Sequence, residues 1–279
     1  MFLNPTDEIN KKISLEASLN KSDIIKDFID EHKFGQALKN MIDGENYYNC
    51  QHDVLYKNFN VSVLSENDGD VEKINNFKNP NRSNHHNINP FHKILVDQKV
   101  SYIVGREPTI TVKNSYSNPQ AKLYEEVLKN LYDNKLCEVI QNLVTGACNK
   151  GFEVLHIFYD KNGQFNYTII PAQEIIPIYD SEYGNILTDV IRYYDVTYKV
   201  NGQIKTKTKV QWWTDKDVTY FCSNENGDFF PDPDFELNPS PHWMEKRTQN
   251  GYVITKPHGW GRVPFIILKN NSLQTNDLM

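Results

Sequence analysis

Arginine is scarce in this 279-residue sequence, which contains only Arg82, Arg106, Arg192, Arg247 and Arg262. Lysine supplies the other basic side chains, and 36 acidic residues against 30 basic ones give a formal net charge of −6. Proteins that wrap nucleic acid by neutralising its phosphates need clustered Lys and Arg. The composition therefore argues against that mode of nucleic-acid binding.

Cysteine is also sparse, and Cys50, Cys137, Cys148 and Cys222 show neither a CxxC pair nor a paired spacing. In a chain of this length, that pattern indicates reduced thiols rather than a disulfide framework. The first twelve residues are polar and charged, unlike a signal peptide. No apolar run approaches the roughly 20 residues that a membrane span needs. Secreted and membrane-spanning classes are therefore not expected.

Three segments in the first half of the chain have helical periodicity. Apolar residues recur at helical spacing over residues 22–57, in one stretch that begins at Ser22 and a second from about Phe34 to Lys57, in which Gly44 is a candidate break. Asn89 and Pro90 form a cap followed by a first-turn proline, which predicts a helix over residues 89–104. The pattern over residues 118–150 predicts two further helices. The residues that share one face of the 89–104 helix are Ile94, Leu95, Gln98, Tyr102 and Ile103.

The pattern changes at Gly151, which stands where a left-handed helix C-cap belongs. After it, FEVLHIFYD and FNYTIIP flank a KNGQ turn and predict a β-hairpin. Strand-like runs continue to VPFIILK, a predicted buried strand. We therefore predict an α+β fold, with a helical first half packed on a mainly antiparallel, β-rich second half. Residues 1–21 are a predicted flexible N-terminus, and the Asn-rich residues 65–89 a predicted exposed loop.

A histidine cluster is the strongest candidate for metal chemistry. His85, His86 and His92 lie close in sequence, and Asp97 follows. A zinc site needs three or four ligands held by fixed elements, but two of these histidines lie in the Asn-rich loop. We predict no metal, no cofactor and no catalytic residue. A metal-dependent, phosphodiesterase-like enzyme that uses the cluster remains the alternative.

Other reactive side chains have structural interpretations. Cys148 lies near a predicted helix C-terminus, where the dipole does not activate a thiol. His156 lies in an apolar strand and is a predicted core or interface histidine. Asp97, Gln98 and Lys99 are consecutive in a predicted helix, so their side chains point in different directions and cannot cooperate in catalysis. A solvated or inter-subunit polar face is therefore favoured.

The string PHGWGRVP predicts a tight turn formed by Gly259, Trp260, Gly261 and Arg262. We expect Trp260 to be largely buried and Arg262 to bond a carboxylate or carbonyl. The string lacks the GK[ST] of a phosphate loop and does not match the dinucleotide fingerprint.

Several strings, taken in order, resemble the portal proteins of long-tailed bacteriophages of Gram-positive bacteria. They are NRSNH (81–85), FHKILVDQKVSYIVGREPTI (91–110), CNKGFEVLHIFYDKNGQFNYTIIPAQEIIPIYD (148–180), RYY (192–194) and GWGRVPFIILKNN (259–271). The resemblance runs from about residue 22 onward and covers roughly the first half of the family's usual length. It implies that residues 22–271 are the portal wing and that residues 272–279 begin a stem helix.

The resemblance also implies a structural role. Portal subunits form a ring, usually of twelve, at one capsid vertex, and double-stranded DNA passes through it without sequence specificity during packaging and ejection. Terminase, head-completion or adaptor proteins, scaffolding and capsid proteins are the expected partners. The expected location is the virion, with the host cytoplasm during assembly, and no membrane is involved.

Subunit contact is expected on the 89–104 helix, at His92, Asp97, Lys99 and Tyr102. Because much of the family's ring contact lies in the stem and crown, the 279 residues alone should associate poorly. They should also bind DNA weakly. A monomeric capsid-associated adaptor remains a further alternative.

Overall fold

The structure, a computed structural model, describes residues 21–55, 87–106, 109–131, 134–180, 182, 186–200, 202–224, 226–249 and 252–278. In this part of the chain, five α-helices come first and antiparallel sheets follow. The predicted α+β class is therefore confirmed. Apart from Lys21 and residues 87–89, the predicted flexible N-terminus and the Asn-rich loop lie outside the described residues.

The helices follow the predicted periodicity. They are α1 (Lys21–Phe34), α2 (Gln36–Tyr48), α3 (Phe91–Val104), α4 (Pro119–Leu131) and α5 (Asn134–Lys150), with 3₁₀ turns at Asp53–Leu55 and Ala172–Glu174.

Two details of the helix predictions are wrong. The first two helices are separated at Gly35, whose backbone is extended, close to the predicted start of the second stretch at Phe34, whereas no break occurs at Gly44. Gly44 lies inside α2, where a Cβ atom would stand 1.9 Å from the Asn149 carbonyl oxygen, so its missing side chain permits close packing. At α3, Pro90 occupies the N-cap position that was predicted for Asn89.

The strands form three sheets. They are β1 (Phe152–Tyr159), β2 (Phe165–Ile170), β3 (Ile175–Tyr179), β4 (Leu187–Val200), β5 (Gln203–Trp213), β6 (Asp217–Ser223), β7 (Phe229–Pro231), β8 (Ser240–Pro241), β9 (Trp243–Gln249), β10 (Tyr252–His258) and β11 (Phe265–Lys269). One sheet has the order β3-β4-β5-β6-β7, with β8 paired to β6. The others are β11-β1-β2 and the pair β9-β10.

The predicted hairpin over residues 152–170 is confirmed as the β1–β2 pair. The predicted buried strand near the end of the chain is only partly correct. Among the described strands, β11 pairs with β1 alone and is an edge strand. Phe265 is buried, whereas Ile266, which points to the opposite face, is 52% exposed.

The six-stranded sheet is covered on both faces. Because successive residues of a strand point to opposite faces, Trp212 and Trp213 lie on opposite sides of this sheet. Trp212 packs against Phe28 of α1, and Trp213 packs with Val190 against Phe265 of the three-stranded sheet. One core therefore lies under α1 and a second lies between the two sheets.

His156 lies in the second core, as predicted for a core histidine. Its Nδ1 is 3.1 Å from the Pro264 carbonyl oxygen, and its ring stacks on Phe265. Burial lowers the pKa of His156 to about 4, although the bond to Pro264 opposes the shift. The imidazole is therefore neutral near pH 7, and Nδ1 is the donor to the carbonyl.

Helix α5 covers the outer face of the three-stranded sheet, and α3 packs behind it. Val96 and Val100 of α3 meet Val144 and Cys148 of α5. Cys148 is 1% exposed, and burial raises the pKa of its thiol to about 11. This agrees with the prediction that Cys148 is not an activated thiol.

The α5–β1 junction joins the helical half to the β-rich half. Gly151 has a φ of +93°, which confirms the predicted left-handed cap. Beside it, Lys150 and Glu153 form an ion pair in which both side chains are less than a tenth exposed. The Glu153 carboxylate also accepts a bond from the Ala172 backbone amide at 2.9 Å. Burial raises the pKa of Glu153, and Lys150 partly offsets that rise.

Residues 270–278 pack over this junction in turns and extended chain. The Asp277 amide donates to the Cys148 carbonyl at 2.8 Å, and the buried Asn276 donates to the Asn40 carbonyl at 2.7 Å. No helix begins among these described residues, where the resemblance implied a stem helix from residue 272. The boundaries 1–21, 22–271 and 272–279 stay predictions. Within the described ranges, every helix is too short or too polar to cross a bilayer.

We predict that Gly151→Ala destabilises the protein by about 2–5 kcal/mol. An alanine there would adopt a left-handed backbone, and its Cβ would stand 2.1 Å from the Gln274 carbonyl oxygen. Gly163→Ala is the control, because Gly163 has a similar φ of +75° with open space around it. Denaturant unfolding should show a loss of only about 1 kcal/mol for the control. Equal losses would show that the contact with Gln274 is unimportant.

Candidate functional site

Helix α3, the predicted contact helix, turns one side to the core. Its buried residues are His92, Val96 and Val100, spaced four residues apart. The side predicted from Ile94, Leu95, Gln98, Tyr102 and Ile103 faces solvent instead. Tyr102 is 92% exposed and Leu95 is 62% exposed.

His92 lies in the core of the subunit. It is 8% exposed, and its Nε2 donates to the Asn149 side-chain oxygen at 3.0 Å. Another subunit could not reach it without unpacking α3 from α5. The histidine shares the side of the helix that holds Val96, and its predicted contact with a neighbour stays a prediction.

Asp97 and Lys99 make bonds within the chain. The Tyr48 hydroxyl donates to Asp97 at 2.8 Å, and burial together with this carboxylate raises the pKa of Tyr48 to about 12. Lys99 donates to Asp277 at 2.9 Å and to Asn270 at 2.8 Å. Burial alone would raise the pKa of Asp277, but the bonds from Asn270 and Lys99 lower it. A role for Asp97 or Lys99 between subunits stays a prediction.

Two helix faces expose large apolar side chains. The α3 apolar face consists of Phe91, Ile94, Leu95, Tyr102 and Ile103, which are 46–92% exposed. The α4 apolar face consists of Leu123, Tyr124, Val127 and Leu131, which are 46–64% exposed. No described residue of α4 is buried. Exposed apolar patches of this kind mark interaction sites.

The α4 apolar face was not singled out from the sequence. Its residues follow the helical spacing, and this signal predicted the helix correctly. The same spacing occurs whether the stripe packs inside the subunit or against another molecule. Only the structure distinguishes these two cases.

The predicted turn over Gly259–Arg262 lies between β10 and β11. Gly261 has a φ of +69°, and the Trp260 amide donates to His242 Nδ1 at 3.1 Å. The Trp260 ring is half-buried and stacks on Tyr159 with centroids 5.0 Å apart. The prediction of a largely buried Trp260 is therefore only partly correct.

Arg262 was predicted to form a hydrogen bond, and this is wrong for the described residues. Its side chain is exposed and bonds neither a carboxylate nor a carbonyl among them. The two glycines and the stack on Tyr159 account for the turn without it.

The histidine cluster cannot be followed in full, because His85 and His86 lie outside the described residues. Among the residues that are described, no group of three His, Cys, Asp or Glu side chains could hold a metal ion. His92 and Asp97 have other partners, Asn149 and Tyr48.

A family model and two similar proteins indicate the same protein family. The family model described as "Phage portal protein, SPP1 Gp6-like" matches residues 26–279. The portal protein of Bacillus phage SPP1 is 32% identical over 278 residues, which is 98% of this chain and 49% of that protein. The portal protein of Clostridium phage phiCD119 is 28% identical over 248 residues, 85% of this chain and 47% of that protein. The chain thus spans about half the length of these curated relatives.

We predict that Trp260→Ala costs about 1–2 kcal/mol of unfolding free energy, since the mutation removes a half-buried ring and one aromatic stack. Trp213→Ala is the control in the core, where Trp213 is 9% exposed, and should cost about 3–5 kcal/mol. Denaturant melts of the two variants measure the difference. If Trp260→Ala were as costly as Trp213→Ala, the turn would be part of the core.

Proposed function

Because the chain belongs to the SPP1 Gp6-like family of phage portal proteins, we propose that it is a structural subunit of the portal ring at one capsid vertex. The observation that carries this proposal is the family match, which extends over nearly the whole chain. In this role the protein performs no catalysis of its own.

The exposed apolar faces of α3 and α4 support the assembly part of the proposal. A ring needs a heterologous contact, in which one surface of each subunit meets a different surface of the next. The α3 and α4 faces lie on separate helices, and each carries enough apolar side chains for such a contact. We propose that at least the α4 face is covered by a neighbouring subunit.

The ring would form the channel for double-stranded DNA during packaging and ejection. It would also be the docking platform for terminase, head-completion, scaffolding and capsid proteins. The net charge of −6 supports a passive channel wall, since a surface that gripped phosphates would slow sliding. The proposed location is the capsid vertex of the virion, with assembly in the host cytoplasm.

Two other functions remain as outcomes to be tested. A metal-dependent phosphodiesterase would need His85 and His86 to meet other ligands, because His92 is buried and bonded to Asn149. A monomeric capsid-associated adaptor would leave the α3 and α4 apolar faces uncovered in solution. No observation favours either one.

We predict that Val127→Lys weakens ring assembly at least about tenfold, since it places a charge in the centre of the α4 apolar face. Glu126→Gln is the matched control, because it also changes the charge by +1 but lies outside that apolar stripe. Light scattering and negative-stain microscopy of the gene product at its natural length measure assembly. A ring that forms equally well with Val127→Lys excludes the α4 face as a contact, and a wild type that stays monomeric contradicts the portal proposal.

We predict that the 279-residue chain binds duplex DNA weakly and that this binding falls steeply between low and physiological salt. The binding is weak because the net charge is negative, and what binding exists depends on salt because it rests on phosphate contacts, which release counterions. A titration at two salt concentrations measures it, with a random duplex as the ligand. Tight binding at physiological salt would argue against a passive channel wall.

A further inference from the structure

The β4–β5 hairpin extends well beyond the sheet that holds it. Its ladder is unbroken from Val190↔Trp213 to Val200↔Gln203. The neighbouring strands stop much earlier, because β3 reaches only Arg192 and β6 reaches only Lys209. Residues 195–200 and 203–208 therefore form a two-stranded ribbon, about 20 Å long at 3.3 Å per residue, that no other described strand joins.

This ribbon exposes apolar side chains near its tip. Ile204 is 69% exposed, Val200 is 40% exposed and Tyr198 is 37% exposed. An isolated two-stranded ribbon is only marginally stable in water. Ile204 lies directly opposite Lys199 on one face of the ribbon, so an apolar group and a positive charge share that face. Three lysines and one aspartate give the ribbon a net charge of +2.

A surface of opposite charge lies where α1 meets α2. A groove of about 520 Å³ opens there, with an apolar lining that includes Phe28, Met41, Phe152 and Ile176. Glu31 stands on its rim, and Phe34, one helical turn further along α1, is 89% exposed. The two helices together carry six acidic and four lysine side chains, for a net charge of −2.

We infer that the tip of the β4–β5 ribbon docks into the α1–α2 groove of a neighbouring copy of this chain. Ile204 of the ribbon covers the exposed Phe34, and Lys199 lies against Glu31. Both surfaces expose apolar side chains, and their charges are complementary, since the groove has an acidic rim and the ribbon tip has a basic flank. The inference rests on the proposed ring.

The geometry favours a neighbouring copy over the chain's own groove. Within one subunit the ribbon tip does not cover the groove, since Ile204 is 69% exposed and Phe34 is 89% exposed. The base of the ribbon is fixed beside α1 by the bond between His32 and the Tyr193 hydroxyl, at 2.7 Å. Ribbon and groove are thus different surfaces of one subunit, as a closed ring requires.

Reciprocal charge reversal tests the contact in the gene product at its natural length. We expect Lys199→Glu and Glu31→Lys each to weaken ring assembly about tenfold, because each places like charges together. The double variant should restore assembly to within about threefold of the wild type, because the pair is then re-formed with its signs exchanged. Both positions are exposed, so circular dichroism should show folded protein throughout.

Disulfide trapping provides a second measurement. Thr206 lies on the same ribbon face as Ile204, and Ala37 lines the groove, so the trapping pair is Thr206→Cys with Ala37→Cys. In a background with Cys50 and Cys137 replaced by serine, oxidation of the double-cysteine protein should give a ladder of linked subunits. Neither single variant should do so. Asn162→Cys paired with Ala37→Cys is the control, because Asn162 is an equally exposed position on the β1–β2 turn.

The outcomes separate this inference from the proposed function. Rings that form normally with either single charge reversal, or that give no ladder, overturn the ribbon–groove contact and leave the portal role standing. A wild type that forms no ring overturns both. Loss of assembly with each single reversal, rescue in the double variant and a specific ladder support both.

Discussion

The buried Lys150–Glu153 ion pair at the α5–β1 junction is the constraint on which the rest of the structure depends. A buried charge is tolerated only when it is paired and hydrogen-bonded, and here the carboxylate also holds the Ala172 amide. The pair fits because Gly146 leaves room, since a Cβ there would stand 1.9 Å from the Glu153 carboxylate. The end of a helix, the start of a sheet and the turn before β3 are thereby fixed at one point.

The exposed surfaces follow from this junction. Once α5 is fixed against β1, α3 can pack on it only through the stripe that contains His92, Val96 and Val100, and the His92–Asn149 bond sets its rotation. The opposite side of α3, with Leu95 and Tyr102, must then face outward. The chain after β11 closes over the same point, where the Asp277 amide bonds the Cys148 carbonyl. The exposure of the α3 apolar face is therefore a consequence of how the core packs.

The sequence was sufficient for the fold class because periodicity reports local structure. The change of period at Gly151 separated the helices from the strands, and the left-handed cap followed from the same glycine. Periodicity could not say which side of a helix is covered, so His92 was placed on the surface although it is buried. The burial of Trp260 was overestimated for a similar reason, because a local string does not reveal how many partners arrive from elsewhere. The β9–β10 pair was missed, because Lys246, Arg247 and Thr248 are consecutive polar residues and interrupt the alternation that identifies a strand.

Several buried or half-buried ionisable side chains of the described fold bond within the chain. Glu153 pairs with Lys150, His156 bonds the Pro264 carbonyl and His32 bonds the Tyr193 hydroxyl. What the described fold leaves unused is apolar surface, on α3, on α4 and at the tip of the β4–β5 ribbon. Surface of that kind is stabilised by contact with other protein, which is the property that a subunit of a larger assembly needs.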